Sequence, residues 1–251
     1  MSQDAGTGRD ASGERAARLT PSAPPAHEGA AFYDDAIAFD TYAAHRRSTD
    51  SANDALERPL IHELLGDLRG HDLLDLGCGD AALGRDALAA GAASYLGIDG
   101  SANMLAAAAA TLAGTRGGVV ESSIEAWAYP PARYDRVVAR LSLHYVAELD
   151  SVCRAVFRTL RPDGRFVFSV EHPLLTACAA PGGGERAEGW LVDDYFASGR
   201  RETTWMKARV VKYHRTVQDH FAAMSDAGFV VESLRESEPR RENFVGAAAF
   251  E

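Results

Sequence analysis

The stretch that most constrains the fold is a short apolar run that ends in two glycines. Residues 73–76 have the length and composition of a buried parallel strand, and Gly77 and Gly79 follow with one residue between them. A helical pattern then begins near Leu83. Glycines at such a turn let the backbone bend tightly and approach a ligand, and the free amides of the following helix point at that ligand. This order of elements predicts a nucleotide-type cofactor site.

A second apolar run is followed by an acidic residue at a defined distance from the glycines. The run is residues 94–98, and Asp99 follows it directly, about twenty residues beyond Gly79. An acidic side chain at this offset is placed to bind the two hydroxyls of a ribose. The spacing Gly77-x-Gly79-x-x-Ala82 also fits nicotinamide dinucleotide sites, in which alanine can replace the last glycine. The residues alone therefore predict an adenosine-containing cofactor and leave its class open.

The two motifs resemble those of a known enzyme family. D-L-G-C-G at residues 75–79 and G-I-D-G-S-A-N-M-L at residues 97–105 are similar to the first two motifs of class I S-adenosylmethionine-dependent methyltransferases, and the similarity extends over roughly residues 33–250. The resemblance implies an α/β, Rossmann-like sheet of seven strands with an antiparallel last strand, an N-terminal helical lid and an inserted cap. It implies S-adenosylmethionine as the cofactor, and as its binding residues Asp75, Gly77, Cys78, Gly79, Asp99, Gly100, Met104, Ser123, Ile124, Arg140, Tyr33 and Arg46.

One position departs from the family pattern. After the third strand the family usually has an acidic residue followed by an apolar one, and the two bracket the adenine ring. This chain has Ser123 and Ile124 there. Because a serine hydroxyl can still bond the adenine edge, both residues stay in the expected cofactor set.

The order of segments predicts one folded domain behind a tail. Residues 1–28 are rich in small, polar and charged residues and have too little apolar material to offset the entropy of ordering, so we expect a disordered tail and a methyltransferase domain over residues 29–251. The aromatic stretch 31–44 is the expected lid. Residues 229–234 and 244–250 are the expected last two strands, paired at the sheet edge. Residues 174–215 interrupt the regular alternation and are the expected cap over the active site.

Three histidines lie on segments predicted to reach the active edge of the sheet. His144 follows the fourth strand, His172 follows the fifth beside Glu171, and His214 lies on a strand of the cap. Ligands of open α/β sheets collect outside the carboxyl ends of the strands, and imidazole is the natural proton acceptor near neutral pH. We therefore expect these four residues on the acceptor side, with His172 as the most direct contact because Pro173 stiffens its loop. A packing role is the alternative for each histidine.

Composition and spacing disfavour several other classes. The three cysteines are scattered and no ligand pair has helical i, i+4 spacing, so we expect no metal. A Gly-x-Ser-x-Gly elbow is absent, which disfavours a serine hydrolase. The net charge of -10 disfavours a nucleic-acid partner. Without an apolar run of membrane-spanning length or an N-terminal signal core, we expect a cytoplasmic protein, monomeric or homodimeric, with no membrane partner.

The expected function is methyl transfer to a small-molecule acceptor. Nitrogen is the first expectation, and oxygen and carbon remain open. An aromatic cap on an acidic body suits a small, flat or cationic acceptor better than DNA or RNA. E-H-P at residues 171–173 and K-Y-H-R at residues 212–215 resemble generic bacterial methyltransferases, some of them in secondary metabolism, so the resemblance does not name the acceptor. The alternatives are a nicotinamide-dependent oxidoreductase and a cofactor-binding protein without catalysis.

Overall fold

The computed structural model describes residues 26–46, 53–180, 183–206 and 208–238. Its strands, in chain order, are β1 (His27–Glu28), β2 (Asp72–Leu76), β3 (Ser94–Asp99), β4 (Gly118–Glu121), β5 (Tyr134–Arg140), β6 (Leu160–Ser169), β7 (Glu185–Arg186), β8 (Gly189–Trp190), β9 (Gly199–Trp205) and β10 (Ala208–His214). Its helices are α1 (Ala31–Asp34), α2 (Ala36–Arg46), α3 (Arg58–Leu65), α4 (Ala82–Ala89), α5 (Ala102–Thr111), α6 (Leu149–Thr159), α7 (Pro173–Thr176) and α8 (Val217–Ala227). A π-helical turn, Asn53–Glu57, leads into α3, and a 3₁₀ turn, Leu143–Tyr145, follows β5.

Five parallel strands form the central sheet in the order β4-β3-β2-β5-β6. The apolar run before the glycines is β2, and its three leucines are fully buried, as expected for a strand that is covered on both faces. The chain order reverses beside β2, because β3 lies on one side of it and β5 on the other. Loops that leave the carboxyl ends of strands at such a point diverge and form a crevice. The Rossmann-like α/β fold is therefore confirmed.

Helices cover both faces of the sheet because each presents an apolar stripe at helical spacing. On α6, Leu149, Val152, Cys153 and Val156 recur at intervals of one, three and four residues and are buried. They join the core cluster on one face, to which α8 also contributes. The second cluster, on the other face, takes its side chains from α3, α4 and α5. This packing on both faces fixes the strand ends, and with them the loops that follow.

The lid and the cap share a second sheet. Strand β10 pairs antiparallel with β9 and parallel with β1, so that His27 lies opposite Val210. Behind β1, the ring of Phe32 is fully buried, with its centroid 4.9 Å from that of Trp205 on β9. The expected lid over 31–44 is two helices, α1 and α2, which adjoin at Asp35. The N-terminal segment is thus joined to the cap through backbone hydrogen bonds and aromatic packing.

Two of the expected boundaries differ from the structure. The predicted tail ran to residue 28, but His27 and Glu28 form β1; residues 1–25 lie outside the described part of the chain. Residues 229–234 were expected to be a strand, but they have no ladder partner among the described residues, and Val230 is 86% exposed. Their expected partner, 244–250, lies outside the described residues. The described part of the central sheet accordingly has five strands, where the sequence predicted seven in all.

Among the described helices, none has both the length and the apolar character needed to cross a membrane.

Candidate active site

The turn after β2 uses its two glycines for different reasons. Gly77 and Gly79 have φ angles of 75° and 55°, which side chains rarely adopt. A Cβ on Gly77 would lie 2.6 Å from the Cβ of Ser142, so this glycine permits close packing within the protein. A Cβ on Gly79 would meet nothing within 4 Å. Gly79 therefore faces open space, as a backbone that approaches a ligand would.

Asp99 ends β3 and fastens the glycine turn to the next helix. The amide of Gly79 donates to Oδ2 and the amide of Ser101 donates to Oδ1, each at 2.9 Å. Burial raises the pKa of Asp99, although the hydrogen bonds from these amides oppose the rise. Ser101 also caps α5, and its hydroxyl accepts from the amide of Met104 at 3.2 Å. These hydrogen bonds connect the glycine turn, the end of β3 and the start of α5.

Asp75 lies on β2 below this turn and carries an unpartnered acceptor atom. The hydroxyl of Tyr95 donates to its Oδ2 at 2.8 Å, whereas Oδ1 is buried and has no hydrogen-bond partner in the described structure. Burial raises the pKa of Asp75 to about 7, and the hydrogen bond from Tyr95 opposes the rise. A buried, unpartnered oxygen is costly unless a ligand uses it, so Oδ1 is suited to an N–H or cationic group.

These groups line one cavity of about 300 Å³. Every residue of the predicted cofactor set lines it except Arg46, whose side chain lies outside the described part of the chain. Arg140 lines it while its guanidinium pairs with Glu57 of the π-helical turn, with Nε 3.0 Å from Oε2. The hydroxyl of Ser169 donates to the same carboxylate at 2.6 Å. The predicted cofactor residues therefore meet at the crevice beside β2.

His144 and Glu171 line the same cavity from the other side. The amide of Glu171 donates to Nδ1 of His144 at 3.5 Å, which assigns the proton of the neutral ring to Nε2. Burial lowers the pKa of His144 to about 4; Glu171 opposes the shift and Lys212 adds to it. At neutral pH the imidazole is therefore uncharged.

Glu171 is itself held by a buried lysine from the cap. The Nζ of Lys212 lies 2.5 Å from Oε1 of Glu171, and only 4% of the lysine side chain is exposed. The same Nζ lies 5.9 Å from the ring centroid of Tyr145 and 5.8 Å from that of Trp205. Burial raises the pKa of Glu171, but attraction to His144 and Lys212 outweighs burial and leaves the pKa below its ordinary value. Sequence reasoning did not include Lys212, Tyr145 or Trp205 in the site.

The structure places the other two predicted histidines away from the cavity. His172 is the N-cap of α7: its Nδ1 accepts from the amide of Leu174 at 3.2 Å, and its Nε2 lies 3.0 Å from Oε1 of Glu236. His214 is fully buried and uses both ring nitrogens, at 2.8 Å from Thr176 Oγ1 and 2.8 Å from the carbonyl of Tyr195. Pro173 starts a helix instead of stiffening an extended loop, and this helix turns His172 outward. The preference for His172 therefore lacks structural support.

In the described residues, no group of three or more His, Cys, Asp or Glu side chains is arranged to hold a metal ion.

Comparisons with known proteins agree with this geometry. A family model described as a methyltransferase domain matches residues 74–168. An S-adenosylmethionine-dependent methyltransferase from Mesorhizobium loti is 34% identical, with a TM-score of 0.69 over 79% of this chain and 89% of that one. A proposed S-adenosylmethionine-dependent methyltransferase from Listeria monocytogenes is 33% identical, with a TM-score of 0.69 over 77% and 89%. An uncharacterized protein of Haemophilus influenzae is 30% identical over 218 residues, which are 81% of this chain and 85% of that protein.

Proposed function

The chain belongs to the class I S-adenosylmethionine-dependent methyltransferases, and we propose that it methylates a nitrogen atom of a small-molecule acceptor. One arrangement carries this proposal. The glycine turn and Asp99 line one cavity of about 300 Å³ together with His144, Glu171 and aromatic rings of the lid and cap. A cofactor and an acceptor bound there would share a single cavity, which methyl transfer requires.

The glycine side of the cavity suits S-adenosylmethionine. The unpartnered Oδ1 of Asp75 can accept from an ammonium group, and the carboxylate of Asp99 can accept from ribose hydroxyls. The open space beside Gly79 lets the ligand lie against the backbone. When bound, S-adenosylmethionine supplies a methyl group that its sulfonium charge has already activated.

The residues on the acceptor side would orient the nucleophile. Holding the two reacting atoms in line can contribute roughly 7–11 kcal/mol in favourable systems. The carboxylate of Glu171 can accept an N–H of the acceptor, which points the lone pair of the nitrogen across the cavity. Because methyl transfer from the sulfonium would leave positive charge on the nitrogen, the nearby carboxylate of Glu171 would stabilise that charge. The nitrogen then releases its proton to water.

The charges at this side favour nitrogen over oxygen as the acceptor atom. A hydroxyl group must lose its proton to become a strong nucleophile, so an oxygen acceptor needs a good base. His144, with a pKa of about 4, is a weak base, and Glu171 is already paired with Lys212. A neutral amine has its lone pair available and needs no base before attack.

Calorimetry and turnover together test this function. We expect S-adenosylmethionine and S-adenosylhomocysteine to bind and NAD not to bind. Wild-type protein is then incubated with S-adenosylmethionine and matched sets of amines, phenols and activated-carbon compounds, and the methylated products are identified by mass spectrometry. The proposal predicts N-methylated products. Methylation of phenols or carbon compounds alone would contradict it, and binding of NAD in place of S-adenosylmethionine would contradict the cofactor assignment.

A further inference from the structure

Lys212 stands out because the chain uses lysine so rarely. The sequence contains only two lysines, Lys207 and Lys212, among 26 basic residues. Lys212 lies on β10 between Val210 and His214, and all three are buried on the inward face of that strand. A charged ammonium at such a position is costly unless a carboxylate is paired with it. An arginine-rich chain thus places one of its two lysines in its interior.

The partners of Lys212 connect it to the site without exposing it there. Its Nζ bonds Oε1 of Glu171 at 2.5 Å and lies 5.9 Å from the ring centroid of Tyr145 and 5.8 Å from that of Trp205. Glu171 lines the cavity, whereas Lys212 is not among the lining residues. The lysine therefore reaches the cavity through the carboxylate that it holds, and its charge also lowers the pKa of His144.

Glu171 and His144 each have one polar side-chain atom without a hydrogen-bond partner among the described residues, and one atom is an acceptor and the other a donor. The bond to Lys212 occupies Oε1 of Glu171, and Oε2 makes no hydrogen bond within the described part of the chain. In His144, Nδ1 accepts from the amide of Glu171, and Nε2 likewise has no partner among the described residues. The cavity is thus lined by one residue with an unused carboxylate oxygen and one with an unused ring N–H, which together suit a group that donates one hydrogen bond and accepts another.

We propose that Lys212 is a positioning residue: it holds the carboxylate of Glu171 so that Oε2 faces the cavity, where it accepts an N–H from the methyl acceptor. This inference rests on the proposed transfer to nitrogen and narrows it. The acceptor nitrogen carries at least one hydrogen, as in primary and secondary amines. A tertiary amine has no N–H for Glu171 and is a poor acceptor.

The first test needs no acceptor. The charged or titratable groups that face His144 are Glu171, Lys212 and His220. Lys212→Met removes a positive charge that repels protonated His144 and leaves the carboxylate of Glu171 uncompensated. The pKa of His144, followed by NMR on protein with ¹⁵N-labelled histidine, should then rise by about one unit or more. Lys212→Arg keeps the charge and should change it little.

Two further variants make this measurement decisive. Arg209→Met removes a positive charge from the outer part of the same strand and should leave the pKa of His144 unchanged. Lys212→Met/Glu171→Gln removes both charges, so it should fold even if an unpaired carboxylate destabilises Lys212→Met alone. In that double variant the pKa of His144 should be lower than in Lys212→Met. An unchanged pKa of His144 in folded Lys212→Met would overturn the proposed coupling.

Kinetics with the best amine of the turnover panel form the second test. Lys212→Met should lower kcat/KM about 10²-fold through misplacement of Glu171, while affinity for S-adenosylhomocysteine stays at the wild-type value. Lys212→Arg should recover part of this loss. The tertiary analogue of the same amine should not be methylated. Equal methylation of the tertiary analogue, or a parallel loss of S-adenosylhomocysteine affinity in Lys212→Met, would overturn this inference. Failure of wild-type protein to methylate any amine would instead overturn the proposed function.

Discussion

Replacing Asp75 by asparagine should change how the stability of the protein depends on pH. Asp75 is fully buried on β2, and burial raises its pKa to about 7. Asparagine has nearly the same shape, and its side-chain oxygen can still accept from the hydroxyl of Tyr95. The substitution therefore removes a titrating group while it keeps the hydrogen bond.

The sign and size of the effect follow from the two pKa values. Because the ordinary value of 3.8 rises to about 7 on folding, the folded state holds this proton more tightly than the unfolded state does. The resulting stabilisation is complete below about pH 4 and is lost as the pH rises through 7, at about 1.4 kcal/mol for each pH unit. Between pH 5 and pH 8 wild-type protein should lose roughly 3 kcal/mol through this group alone. The variant has no such loss.

Urea denaturation of both proteins without cofactor, at several pH values from 5 to 8, measures this difference. The free energy of unfolding of Asp75→Asn, relative to wild type, should increase by about 3 kcal/mol over this range, which corresponds to roughly 6–12 °C in melting temperature. Parallel pH profiles would refute the reasoning. Binding of S-adenosylhomocysteine offers a further check. If its ammonium group contacts Asp75, Asp75 should lose its proton when the ligand binds to wild-type protein near neutral pH. The binding enthalpy should then depend on the buffer in wild type but not in Asp75→Asn.

Four other predictions concern binding, stability and turnover. Asp99→Ala should weaken S-adenosylhomocysteine binding at least tenfold in calorimetry, and unchanged affinity in a folded variant would remove its ribose assignment. Gly79→Ala should cost only about 1–2 kcal/mol of stability yet lower cofactor affinity, because its side chain enters the cavity. Gly77→Ala should destabilise the fold itself by about 1–3 kcal/mol in urea denaturation, because its Cβ would lie 2.6 Å from another side chain. In steady-state kinetics, His144→Ala should lower turnover about 10²-fold while His172→Ala remains near wild type, and the reverse order would restore the sequence-based preference for His172.

The cofactor half of the cavity was predictable because it follows from local rules. Gly77, Gly79, Asp99 and Met104 each lie within a few residues of the end of a parallel strand, and such ends meet at one edge of the sheet. His144 was placed correctly at the cavity by the same rule. Their chemical roles remain predictions.

The acceptor half depended on contacts that the sequence does not encode locally. The position of Lys212 follows from the pairing of β10 with β9 and β1, and a lysine in an alternating strand is expected to face solvent. The direction of His172 was decided by whether Pro173 continued a loop or began a helix, and proline suits both. One sequence signal could have indicated that Lys212 is buried. It lies two residues after Val210 and two before His214, so in a strand it shares their face, and both are buried.

The pairing of β1 with β10 also sets an order of events during synthesis. His27 and Val210 are about 180 residues apart, and at roughly 5–20 residues per second a ribosome takes on the order of 10–40 s to make that length of chain. Throughout that time Phe32 has been made, but Trp205, against which it packs, has not. Contacts across so long a loop also form slowly after release, because closing the loop costs entropy. The N-terminal segment is therefore translated early but packs late, and Phe32 is exposed to chaperones and proteases until the cap has been made.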